Sequence, residues 1–201
     1  MPNLKSAMYN PLLYTDVLGA FLPVFFPHIC ESILPDGSKV VFKSPKFHHE
    51  IIDCLKQQNA KTVIISSRGS SKSTLITFLW VLYCSCFGMS AFTIIVSDSF
   101  KKACNFLDRI KREITDNKFL AETFEIEPGV PWSQGELVFK IGWLGGKRIR
   151  LLARGAGQSL RGYVDNVRPQ MIVLDDIEEE NNTATPDKRA KIRDWLFGQV
   201  L

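Results

Sequence analysis

The chain has 201 residues, 45% of them hydrophobic and 23% charged, with a formal net charge of +4. That length and balance suit one globular domain with a real core and exclude a disordered or fibrous chain. Five cysteines with no C-x-x-C, and three histidines outside any Cys/His spacing, argue against a disulfide scaffold or a zinc centre and fit a reducing compartment.

Residues 1–28 are aromatic-rich and interrupted by Pro2, Pro11, Pro23 and Pro27. Residues 14–21 read as a short helix over the core. Residues 21–27 read as part of a packed lid, in preference to a partner surface. Asp36-Gly37 marks a turn, residues 39–42 a short strand, and Ser44-Pro45 a helix entry. From Phe47 to Gln58 the residues Phe47, Ile51, Ile52 and Leu55 share one helical face. The chain therefore divides into an N-terminal extension, 1–44, and a core, 45–201.

Residues 61–74 organise the core. Val63 to Ile65 is an apolar β-branched run that predicts a buried strand. A small-residue loop comes next, and Lys72-Ser73-Thr74 opens an uncharged segment of helical length. Strand, loop, Lys-[Ser/Thr] and helix is the layout of a phosphate-binding loop. Backbone N–H groups of Ser67, Gly69, Ser70, Ser71 and Thr74 would face phosphate oxygens. Lys72 would reach the outer phosphates, and the Ser73 hydroxyl would ligate Mg²⁺. Ser66 and Ser71 stand where that motif has glycine, so backbone strain is expected if either takes an unusual dihedral. The plain alternative is an ordinary Ser/Gly turn before a helix.

Leu75 to Val96 carries no charge and has the length of a membrane span, but Gly88-Met89-Ser90 breaks it and 91–97 reads as a second strand. Asp98, Ser97 or Ser99 is placed to cap a helix over 100–117, with Lys101, Lys102, Arg109, Lys111 and Arg112 on a solvated basic face. Residues 127–131 read as a loop, and 137–143 and 148–153 as paired strands turning at Gly145-Gly146. Lys140, Lys147, Arg148, Arg150, Arg154, Arg161 and Arg168 form a stripe opposed by Asp165 alone. It tracks a DNA backbone, faces the acidic run 178–180, or is simply solvated. Met171 to Asp176 reads as a buried strand ending in two carboxylates. In P-loop NTPases such a strand presents one acid, here Asp175, to Mg²⁺ and another to the attacking water. Residues 186–196 read as a helix with Asp187 near its start.

On Ser67-Arg68-Gly69-Ser70-Ser71-Lys72-Ser73, Leu160-Arg161-Gly162 and Leu174-Asp175-Asp176-Ile177-Glu178, the chain resembles the ATPase domain of the large terminase subunit, the DNA-packaging motor of tailed bacteriophages. Asn181-Asn182-Thr183 after the acids is like the short-genome podovirus branch. The resemblance covers roughly residues 45–197. It implies an α/β fold of the ASCE-type P-loop NTPase kind, with a mainly parallel central sheet flanked by helices. It implies ATP and Mg²⁺, held by the 67–74 loop, Ser73 and Asp175. Asp176, with Glu178 in reserve, would orient water. Arg68 would stabilise charge on the transferring phosphoryl group, and Arg161 would lie near the terminal phosphate of its own or a neighbouring subunit. His48 stands where the family has an adenine-contacting residue, commonly glutamine; a surface histidine is the alternative.

The implied partners are double-stranded DNA, a portal protein, a small terminase subunit and further copies in a ring on the procapsid, in the cytoplasm of an infected bacterium. Terminase ATPases place a later strand, bearing a coupling residue, between the two motif strands, and a nuclease domain beyond. None is present here, so the chain is expected to lack later strands, to be one part of a larger or split subunit, and to turn over ATP weakly or not at all alone. The rival readings are a helicase-like P-loop motor and a non-catalytic assembly module.

Overall fold

The computed structural model describes residues 8–57, 61–160, 168–178 and 183–200. Strands form where β-branched and aromatic residues alternate or run together: β1 Glu31–Ile33, β2 Lys39–Val41, β3 Phe92–Ser97, β4 Ile126–Trp132, β5 Glu136–Ile141, β6 Lys147–Gly155 and β7 Met171–Asp175. β1 and β2 make a separate antiparallel ribbon. The other five form one sheet in the order β4-β5-β6-β3-β7. β3 runs parallel to both β6 and β7, whereas β4, β5 and β6 are mutually antiparallel neighbours.

The architecture is thus α/β with a mixed sheet, and the expected mainly parallel sheet needs correcting. The cause is local. Gly145 and Gly146 adopt φ of +71° and +77°, so the chain reverses tightly between β5 and β6 and the two must be antiparallel. Residues 127–131, expected as a loop, lie within β4. This edge strand is irregular between Pro128 and Trp132, a place where proline is tolerated because no donor is needed on the outer side.

The helices are α1 Lys46–Leu55, α2 (wide, π-type turns over Thr74–Trp80 running into Val81–Cys86), α3 Phe100–Asp116, α4 Lys118–Phe124 and α5 Pro186–Trp195. Ser99 caps α3, its Oγ accepting from the Lys102 N–H. Thr185 caps α5 in the same way, ahead of Pro186 and Asp187. Among the described residues no helix is long and apolar enough to cross a membrane.

Alternation along the strands separates two apolar layers. Ile95, Phe139, Leu151 and Val173 face the main core with α2, α3 and α4; Phe92, Ile94, Val96 and Leu152 face a smaller one closed by Leu160 and Trp195. β3 is buried along its whole length. Arg109, expected on a solvated face, is instead half-buried with its guanidinium 4.0 Å from the Phe78 ring centre. The basic stripe is partly committed internally: Lys147 Nζ donates to the Gly88 carbonyl at 2.6 Å, and Arg150 bridges Glu136 at 2.7 Å.

The N-terminal residues pack into the main core rather than presenting a surface. Phe21, Phe25 and Phe26 are buried there, and Phe25 stacks on Phe119 at 5.3 Å. The expected helix over 14–21 is instead a series of short helical pieces, Pro11–Tyr14, Val17–Phe21, Leu22–Phe25 and Pro27–Cys30. Asn117 fastens this segment: its Nδ2 donates to the Phe25 carbonyl at 2.6 Å, and its Oδ1 accepts from Leu120 N–H at 3.1 Å, capping α4. Asn117→Ala removes both bonds and is expected to destabilise the fold by about 1–2 kcal/mol, read from the urea midpoint.

The predicted buried strand at 63–65 is not formed. Residues 61–67 are without regular structure, Val63 and Ile65 are 85% and 92% exposed, and only Ile64 packs on the core. The reason is the missing neighbour: among the described residues β7 pairs with β3 alone, and nothing pairs with the backbone of 61–65.

Candidate functional site

In open α/β sheets ligands bind beyond the carboxyl ends of parallel strands. Here Ser97 of β3 is in register with both Gly155 of β6 and Asp175 of β7, so three strand ends make one rim. The loop 66–73 comes against that rim. Its turn needs two left-handed residues: Gly69 at φ +79° and Ser71 at φ +58°. Glycine meets the first without penalty. At Ser71 the Cβ crowds the following carbonyl, which costs about 1–2 kcal/mol. Of the two serines expected to carry strain, the structure places it on Ser71 and not on Ser66.

Ser71→Gly removes that crowding but frees the unfolded chain, which returns about 0.4–1 kcal/mol of the gain. We expect a net rise in thermal midpoint of roughly 1–3 °C, measured by calorimetry.

The loop is closed on itself. Ser66 Oγ and Ser70 Oγ are 2.6 Å apart, and Lys72 Nζ donates to the Ser66 carbonyl at 2.8 Å, with the Ser67 carbonyl at 3.5 Å. His48 Nε2 lies 3.0 Å from the Ser70 carbonyl, so that nitrogen carries the proton and donates. From α1 the His48 ring thus holds the loop, edge-on to Phe47 at 4.4 Å. Between α1 and the loop lies a groove of about 370 Å³, lined by Phe47, Ile51 and Cys54 on one side and 62–67 and Ser70 on the other. Its walls are largely apolar and it opens beside the loop carbonyls.

The decisive contact crosses the site. Ser73 Oγ donates to Asp175 Oδ1 at 2.9 Å, joining residues distant in sequence. Burial pushes the Asp175 carboxyl above the ordinary carboxylate range, and the neighbouring Asp176 charge adds to this. The Ser73 hydroxyl, foremost, and the charge of Lys72 act the other way. Thr77 stands outside the sequence motif; it lies one helical turn beyond Ser73, on the same face of α2, and is buried.

Other expected residues are less engaged. Asp176 is exposed, next to Asp175 in chain, with a left-handed φ of +45°. Such a dihedral is uncommon outside glycine. Arg68 and Glu178 are exposed, and among the described residues neither makes a hydrogen bond or ion pair. Arg161 lies outside the described residues.

A hydroxyl and a carboxylate oxygen side by side suit a hard cation that keeps several waters, as Mg²⁺ does. Among the described residues no group of three or more His, Cys, Asp and Glu side chains is gathered. Ser73 and Asp175 are the pair that would hold such a cation. No protein family, curated protein or solved structure matches the chain.

Proposed function

We propose that this chain is a P-loop nucleoside-triphosphatase unit, and more narrowly the ATP-hydrolysing part of a DNA-packaging motor of the large-terminase kind, acting in the cytoplasm of an infected bacterium. The observation that carries the first step is the Ser73–Asp175 hydrogen bond, which brings the Lys-Ser-Thr element and the acidic strand end to one point. The narrower step rests on the resemblance of Arg68, the 160–162 triplet and the Asp-Asp-x-Glu ending. Double-stranded DNA, a portal protein, a small subunit and a ring of copies belong to that narrower reading.

In this mechanism the loop N–H groups and Lys72 bind the triphosphate, Lys72 leaving the Ser66 carbonyl to do so. Ser73 and Asp175 would hold Mg²⁺, which would supply charge neutralisation at the phosphate oxygens. Asp176 orients water, with Glu178 in reserve, and Arg68 swings from solvent to the phosphoryl group as its charge develops. The groove beside Phe47 and Cys54 receives the base. Among the described residues neither the backbone of 61–65 nor the outer edge of β7 has a strand partner, which leaves room for a further strand between them. For that reason turnover by this chain alone is expected to be weak or nil.

A non-catalytic assembly module is the second reading, favoured by the strained Ser71 in the loop. Thermal unfolding with Mg·ATP, with and without EDTA, tests the proposal. Saturating ligand near a hundred times its Kd adds about 2.7 kcal/mol, or roughly 5–10 °C for a chain of this size. Protection of Cys54 from alkylation should accompany it. No shift and no protection would end the nucleotide reading. A shift without phosphate release, also in the presence of a polypeptide that could add a further strand, would favour the assembly module.

A further inference from the structure

α3 sends Arg109 inward toward the element carrying Ser73. Its Nη1 donates to Thr74 Oγ1 at 3.3 Å, and its guanidinium lies over the ring of Phe78, a fully buried residue. Thr74 and Phe78 are four residues apart, so they share one face of α2 and a single planar side chain grips both. On α3, Glu113 lies one turn beyond Arg109 and acts on it electrostatically. Glu113 is itself mostly buried and bridged by His28 at 3.1 Å. The guanidinium thus lies between the Thr74–Phe78 face of α2 and the charge of Glu113.

The beginning of α2 has need of such a brace. Its first turns are wide, and Ser73, at the N-cap, makes no side-chain bond to the helix because its hydroxyl is given to Asp175. The direction of Ser73 Oγ therefore depends on where the next residue is held. Thr74 comes directly after it, and a wide turn leaves the backbone ladder a poorer guide than an ordinary helix would.

We propose that Arg109 is a positioning residue of the nucleotide site: by holding Thr74 against α3 it aims Ser73 at Asp175 and so sets the Mg²⁺-dependent part of triphosphate binding. The inference rests on the nucleotide reading above and adds to it the residue that tunes the cation side of the site. Arg109 does not touch the ligand. It acts through Thr74.

The test uses the full 201-residue chain and measures ATP affinity in Mg²⁺ and in EDTA. Arg109→Leu keeps apolar cover on Phe78 and removes the donor. It is expected to weaken ATP binding about five- to tenfold in Mg²⁺ and less than twofold in EDTA, in line with losses for groups that orient a metal ligand. Arg109→Lys restores a donor and a charge and should recover part of the loss. Thr74→Val should lower affinity too, and the Arg109→Leu/Thr74→Val double variant should be no worse than the poorer single one. Equal losses in Mg²⁺ and EDTA, or additive losses in the double variant, would overturn the inference while leaving the nucleotide reading in place. If Arg109→Leu fails to fold, the Arg109→Lys ratio between the two conditions decides, and an unchanged ratio overturns it. Failure of the unaltered chain to bind ATP overturns both.

Discussion

Lys72→Ala is expected to remove triphosphate binding almost entirely while leaving the fold in place. The ammonium is half-buried and holds two loop carbonyls, Ser66 and Ser67, at 2.8 and 3.5 Å. Those carbonyls are close to solvent, and water replaces the lost donor, so stability should change by less than about 1 kcal/mol. Binding is another matter. A charge-assisted bond to phosphate is worth about 1.5–3 kcal/mol, and Lys72 would make more than one. The expected loss in ATP affinity is roughly a hundredfold, and hydrolysis by a completed subunit should fall below detection. Calorimetric titration and a phosphate-release assay check the two halves, and a urea curve checks the fold. Near-normal turnover by Lys72→Ala would remove the loop from the mechanism altogether.

Local interactions are legible in the sequence, and long-range ones are hidden. β3, β5, β6 and β7 are legible because their apolar residues recur at the strand period or run together, and the reversal is legible because Gly145-Gly146 permits it. Capping by Ser99 is a matter of a few neighbouring residues. The strain at Ser71 is expected from serine standing where glycine normally turns. The failure at 63–65 has the opposite origin. An apolar β-branched run says that a segment can be a strand, not that a neighbour exists, and pairing is a long-range property. β4 is hidden because Pro128, Gly129 and Pro131 are loop residues everywhere except at an edge. Spacing alone assigns Arg109 to the solvated face of α3. Its burial depends on where α2 crosses, and no period in the 100–116 segment contains that. Motif order pairs Ser73 with Asp175 and states chemistry without stating distance; the 2.9 Å contact turns that order into a place.

Asp175→Asn is expected to separate stability from function with opposite signs. The carboxylate is partly buried, next to a second acid, and its proton affinity is raised above that of an exposed aspartate. The native state therefore binds this proton more tightly than the unfolded chain does. Stability falls as pH rises from the unfolded pKa through the raised native one, and at neutral pH the charge is a standing penalty. Asparagine is nearly isosteric and its carbonyl oxygen still accepts from Ser73 Oγ, so the contact across the site survives without the charge. The site is part open, which screens the effect, and the gain is on the order of 0.5 kcal/mol, or about 1–2 °C in thermal midpoint. The same change removes the anionic oxygen that would hold Mg²⁺. Affinity for ATP in Mg²⁺ should drop to its value in EDTA, a loss of roughly tenfold or more, and turnover by a completed subunit should vanish. A thermal scan without ligand and a titration in both conditions measure the pair of effects together. Asp175→Asn with lower stability and unchanged Mg²⁺ dependence would place the carboxylate in the fold rather than in the chemistry.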